Sequence, residues 1–267
     1  MTTLLSPDGT TIAFETVSSG PALVLVDGAT CFRDSGPMRP IADALSSWFQ
    51  VVLYDRRGRG GSSDTPPFAV QREIEDLSAL IDRVGGSALL FGISSGAALV
   101  LAAAEALGPE KVTGIALFEP PFMPPPALPA AAAYTVALNA ALAGGDRAAA
   151  VELFLGRVGL PPQAIDGMRH SPAWPGMEAI APTLAYDDAA MGDSAVPVDR
   201  AGRIRVPSLV LVGGASPEFL RYGGEQLAAA IPHAEVVVLE GQTHDVAAEA
   251  VAPALVDFFT ARDVSRA

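Results

Sequence analysis

The chain has 267 residues, half of them hydrophobic, and 30 acidic side chains against 17 basic ones give a formal charge of −13. That length suits one large domain with a sizeable core; no apolar run reaches the roughly 20 residues of a membrane span, and the acidic balance repels phosphate backbones and anionic membranes. Nucleic acid and membrane are thus disfavoured as partners, a small-molecule substrate is the partner expected, and a homodimer is compatible with the composition.

The opening MTTLLSPDGTTIAFE has no basic segment followed by an apolar one, so no secretory signal is expected and the cytoplasm is the default compartment. A polar turn at Ser6–Gly9 followed by the alternation Ile12, Phe14, Thr16 reads as a hairpin. ALVLVDG (22–28) and VVLYDRRG (51–58) are continuous apolar runs ending in glycine and charge, the pattern of strands buried on both faces of a parallel sheet. Cys31, the only cysteine, leaves no internal disulfide or cysteine-rich zinc site, and it reads as a small buried packing residue. An amphipathic helix follows, with Val70, Ile74, Leu77, Leu80, Ile81 and Val84 apolar, Arg72, Glu73, Glu75 and Asp76 opposite them, and Gly85 as its stop.

SALLFG (87–92), VTGIALFEPP (112–121), PSLVLVGG (207–214) and AEVVVLEG (234–241) repeat the buried-strand pattern, separated by helical stretches. The sole lysine, Lys111, lies in a polar connector, which disfavours Schiff-base chemistry. The fold class is therefore α/β, a doubly wound, mostly parallel sheet with ligands at the carboxyl ends of its strands. The alternation lapses over residues 123–199, a proline-led, alanine-rich helical stretch containing Tyr134, Phe154, Met168, Trp174, Met177 and Tyr186. It reads as a helical cap inserted into a core made of residues 1–122 and 200–267.

The stretch FGISSG (91–96) sits between a strand and the helix AALVLAAAEALG. In that setting Gly92-Ile93-Ser94-Ser95-Gly96 is a G-x-S-x-G elbow. The sharp turn lifts Ser94 out of the sheet as a nucleophile, and the backbone N–H of Ser95 at the helix start suits an oxyanion.

With this elbow, the turn YDRRGRGGSSD (54–64) and the loop EGQTHDV (240–246), the chain resembles the α/β-hydrolase family over essentially its whole length. The resemblance implies the α/β-hydrolase fold, no cofactor and no metal, with His244 as general base and the N–H of Ala29 as second oxyanion donor. His170 and His233 are then surface or substrate-facing, and Arg56, Arg57 and Arg59 mostly brace their turn. Two departures stand out. Asp27-Gly28-Ala29 replaces the family's His-Gly, placing a carboxylate near the pocket. In addition, the usual position of the acid that orients the histidine is occupied by Ala215 or Ser216. Loss of that acid costs a serine protease about 10⁴-fold. Glu119, at the end of an earlier strand, and Glu218, two residues past the vacancy, are the candidates, Glu119 being favoured, with Asp245, a cap aspartate or no acid at all as further alternatives.

The implied activity is a serine hydrolase acting through an acyl-enzyme on a small, mostly apolar ester, thioester or lactone. A non-hydrolytic lyase, cyclase or cofactor-free oxygenase, in which the Ser/His pair moves protons, is the alternative the vacant acid position favours. A degenerate ligand-binding protein is the third reading.

Overall fold

The computed structural model describes residues 2–261. Eight strands form one sheet in the order β1-β2-β4-β3-β5-β6-β7-β8. β1 (Thr2–Leu5) and β2 (Thr11–Val17) make the N-terminal hairpin, and β2 joins β4 (Gln50–Tyr54) antiparallel. The rest is parallel: β3 (Ala22–Val26), β5 (Ala88–Ile93), β6 (Val112–Phe118), β7 (Ser208–Gly213) and β8 (Glu235–Leu239).

Alternate residues of the parallel strands feed two cores. Leu23, Leu25, Val51, Leu53, Phe91 and Phe118 pack with α1 (Met38–Leu45) and α11 (Ala248–Thr260) on one face. Val24, Val26, Val52, Leu90, Ile115 and Leu117 pack on the other with α2 (Val70–Arg83), α3 (Ser95–Lys111) and residues of α10 (Glu218–Ala230). Burial on both faces explains why β3 to β7 are continuous apolar runs rather than alternating ones. β8 departs from the expectation: it is the edge strand, and although its sequence is an apolar run, Val236 and Val238 are exposed because no further strand or helix among the described residues covers them.

Between β6 and β7 the chain is helical: α4 (Leu128–Ala143), α5 (Arg147–Arg157), α6 (Pro162–Arg169), α7 (Trp174–Ile180), α8 (Leu184–Met191) and α9 (Val198–Ala201). Leu138, Val151, Leu155, Trp174 and Leu184 form a third, smaller core within this segment. Met168 and Met177 pack against it, while Tyr186 stacks on Phe68 with ring centroids 3.8 Å apart. With its 3-10 first turn, the helix Pro125–Ala143 is long and apolar enough by composition to cross a membrane, though only 11% of its most apolar stretch is buried.

Two of the acids on the polar side of the α2 pattern are not solvated. Glu73 and Asp76 are buried, because Arg56 and Arg57 at the end of β4 meet them in two-pronged pairs, at 2.7 and 2.8 Å for Glu73 and 2.8 Å twice for Asp76. Arg56, Arg57 and Arg59 are all buried, so the turn after β4 braces the structure through charge pairs.

The elbow depends on backbone contact between β3, β5 and α3. A Cβ on Gly96 would lie 2.3 Å from the Val26 carbonyl oxygen and 2.5 Å from that of Asp27, and one on Gly92 would lie 2.5 Å from the Gly96 carbonyl oxygen. These neighbours are backbone and cannot swing aside. Gly96→Ala is therefore expected to lower the unfolding free energy by about 3 kcal/mol or to prevent folding, measured by urea denaturation. A loss within about 0.5 kcal/mol would show that the strands can separate there.

Candidate active site

The strand order gathers the candidate residues at one edge. β3 and β5 are neighbours, with Val26 opposite Gly92, so the loop carrying Ala29 and the turn carrying Ser94 emerge side by side. β6 lies next, with Ile93 opposite Phe118, and then β7 and β8, whose far end leads into the His244 loop.

Ser94 has φ 58° and ψ −128°, a conformation that side chains other than glycine rarely adopt. It is held there by its N–H donating to the Phe118 carbonyl at 2.9 Å and by its own carbonyl accepting from Ala97 N–H at 2.9 Å. Although Ser94 stands at the N-cap of α3, its hydroxyl makes no capping hydrogen bond. Ser95 N–H follows in the first turn, where a helix leaves its N–H groups unpaired.

His244 Nδ1 lies 2.7 Å from Glu119 Oε2. Glu119 is fully buried, sits at φ 45° just past β6, and accepts on its other oxygen, Oε1, from Gly213 N–H at 2.7 Å. The carboxylate thus bridges the end of β7 and the imidazole. The loop beneath the imidazole is laced to the same strand end, with Ala215 N–H donating to the Gln242 carbonyl and Gly214 N–H to the Leu239 carbonyl, each at 2.9 Å. A Cβ on Gly213 would meet the Gln242 carbonyl oxygen at 2.5 Å. The position after β7 where an acid was expected therefore serves to hold the histidine loop, and the carboxylate beside His244 comes from the end of β6.

Glu218, the other candidate acid, is exposed. Pro217 directs the chain into α10 with Glu218 at its first position, and among the described residues His244 pairs with Glu119 and not with Glu218. Asp245 is exposed beside His244. His170 and His233 are exposed as well.

Ala29, Ser94, Ser95 and His244 line one cavity of about 560 Å³. Its far wall comes from the helical segment, including Tyr134, Phe154, Leu184 and Met191. A wider groove of about 900 Å³ between α4 and α5 shares Met123, Tyr134 and Arg157 with it but contains neither Ser94 nor His244. Cys31 also lines the Ser94 cavity and is half-buried rather than a core residue. Burial, reinforced by the charge of Asp27, pushes its thiol up to about 12, which leaves no thiolate for nucleophilic work.

Asp187 belongs to no local sequence motif. This buried aspartate of α8 meets Arg56 Nη1 at 2.6 Å, Arg59 Nη2 at 2.5 Å and the Ser95 hydroxyl at 2.8 Å. The available signals were an acidic pair, Asp187-Asp188, in an otherwise apolar helix and three arginines in one turn needing counterions.

Asp27 is buried, and its Oδ1 has no hydrogen-bond partner. Burial raises its pKa from 3.8 to about 7, against the lowering pull of Arg59 and Arg56 and with a smaller push from Asp55. Ionisation is thus available to the unfolded chain from about pH 4 but to the folded protein only above about 7. The group removes stability as pH rises between those values and by a constant amount above them. Asp27→Asn should match the parent near pH 4 and exceed it by up to about 4 kcal/mol at pH 8, read by urea unfolding at both pH values; a difference independent of pH would contradict this.

Comparison with known proteins supports the same frame. An alpha/beta hydrolase from Sphaerobacter thermophilus has a crystal structure that superimposes with a TM-score of 0.84, at 49% identity over 97% of this chain and 100% of that one. The hydrolase YraK of Bacillus subtilis is 32% identical over 101 residues, 36% of each chain. A zearalenone hydrolase of Cladophialophora bantiana is 35% identical over 118 residues, 41% of this chain and 43% of that one. The chain spans about two fifths of the length of these two curated relatives. The model of the alpha/beta hydrolase family matches residues 22–256, and with the sheet order and the Ser94 elbow this places the chain in the alpha/beta hydrolase family.

Proposed function

We propose that the protein is a serine hydrolase that cleaves a small, mostly apolar ester, thioester or lactone through an acyl-enzyme. The observation that carries this reading is the Glu119–His244 pair, set at the same cavity as Ser94. A serine hydroxyl becomes a useful nucleophile only when a base removes its proton. In this reading Nε2 of His244 takes the Ser94 proton as Oγ attacks the carbonyl carbon, and Glu119 keeps the other ring proton on Nδ1 and stabilises the imidazolium that forms. The N–H groups of Ala29 and Ser95 receive the oxyanion. The imidazolium then protonates the leaving group, and a water activated by the same imidazole releases the acyl group and restores Ser94.

The cavity's size and its aliphatic and aromatic walls support a small apolar substrate. The hydrolase names of the relatives support the reaction class. The non-hydrolytic alternative drew on the vacant acid position after β7 and on Asp27; Glu119 on Nδ1 weighs against the first ground, while Asp27 stands buried beside the cavity loop.

A fluorophosphonate probe is expected to add once to the parent and not to Ser94→Ala, read by intact mass. A parent left unmodified by a probe that labels a control hydrolase would overturn the reading. Glu119→Gln keeps an acceptor for Gly213 but presents an amide N–H₂ to Nδ1, forcing the wrong tautomer. It should lower kcat on p-nitrophenyl butyrate by about 10³- to 10⁴-fold, while Glu218→Gln should leave kcat within about twofold. Equal effects of the two substitutions would remove Glu119 from its role.

A further inference from the structure

We propose that Asp187 is a positioning residue that sets both oxyanion donors through one buried cluster, so that the seating of the helical segment governs the reactivity of Ser94. The proposal rests on the hydrolase reading above.

The geometry converges from two sides. On one side Asp187 Oδ1 accepts from the Ser95 hydroxyl at 2.8 Å, fixing the residue whose N–H opens α3. On the other, Asp187 holds two guanidiniums that grip the loop leading to Ala29. Arg59 Nη1 donates to the Gly28 carbonyl at 2.7 Å and Arg56 Nη1 to the Asp27 carbonyl at 3.2 Å. Gly28 C=O belongs to the peptide group whose N–H is that of Ala29. An arginine bound to that oxygen therefore fixes the plane of the amide that must face the oxyanion. Arg59 Nε also donates to Thr183 Oγ1 at 3.0 Å, a second tie from the segment between β6 and β7.

Arg56 has a second anchor in Glu73, whereas Asp187 is the only carboxylate paired with Arg59 among the described residues. Burial alone would raise the Asp187 pKa. The charges of Arg59 and Arg56 and the hydrogen bonds from Ser95 and Arg56 hold it below the ordinary carboxylate value, so the cluster is ionic at working pH. Asp187 borders the Ser94 cavity but makes no hydrogen bond to Ser94 or His244 among the described residues; all its bonds there go to Ser95, Arg56 and Arg59.

Two effects of removing the charge have opposite signs. If Asp187 only damped the local field, Asp187→Asn would expose two arginines near the developing oxyanion and raise kcat. If it positions the donors, their misalignment lowers kcat while ground-state binding is unchanged. With p-nitrophenyl butyrate, Asp187→Asn is expected to lower kcat by about 10²-fold with KM within about threefold. Inhibition by phenylboronic acid, which presents a tetrahedral oxyanion on Ser94, should weaken in proportion to the loss of kcat/KM. Ser95→Ala removes one arm only, leaves both guanidinium pairs in place, and should lower kcat by about tenfold with the same pattern.

Folding of each variant is checked by its melting temperature; should Asp187→Asn fail to fold, Ser95→Ala decides by the same readouts. An active, probe-labelled parent whose folded variants keep or raise kcat would overturn the proposal while leaving the hydrolase reading intact. A parent that neither turns over ester nor takes the probe would overturn that reading, and the proposal with it.

Discussion

The site hangs on one carboxylate. Glu119 accepts from Gly213 N–H on one oxygen and meets His244 Nδ1 with the other, both at 2.7 Å, and so joins the end of β6, the end of β7 and the loop after β8. A buried carboxylate is costly to desolvate unless its lone pairs are used, and here both oxygens are engaged. Its backbone at φ 45° is the strained price of reaching across, and that strain persists only because the neighbouring strands overdetermine it, Glu119 N–H itself donating to the Leu211 carbonyl at 3.1 Å.

The turn after β4 carries a second concentration of buried charge. Arg56, Arg57 and Arg59 leave β4 in a single turn and are neutralised by Glu73, Asp76, Asp8 and Asp187. Such pairs contribute little net stability compared with apolar packing, but breaking one partner is strongly destabilising. Their effect is to fix geometry: they hold α2 to the sheet and α8 over the cavity. An ionic joint between α8 and the sheet edge also explains why the helical segment can keep its own small core and still be registered to the backbone near Ser94.

Much of this was legible in the sequence. Five of the six predicted buried strands announced themselves because parallel strands covered on both faces need uninterrupted apolar residues; the sixth, β8, is apolar too but lies at the sheet edge with Val236 and Val238 exposed. FGISSG stood out because its polar knot directly followed one of the buried strands. The choice between Glu119 and Glu218 was harder, since it turns on which strand lies beside which and on Pro217 starting a helix, neither of which periodicity encodes. Glu73 and Asp76 misled in a different way. On a helical wheel they belong to the polar side, and only the arginines 17 and 19 residues earlier turn that side inward. Asp187 lies 131 residues from Arg56, a separation at which a charge pair leaves no local pattern at all.

The most direct test of the account is a crystal structure of the protein with Ser94 phosphonylated. The account predicts the phosphoryl oxygen within about 2.7–3.1 Å of the N–H groups of both Ala29 and Ser95, with His244 Nδ1 still on Glu119. An adduct whose oxygen faces away from those amides, or an imidazole drawn to Glu218 or Asp245 instead, would contradict it.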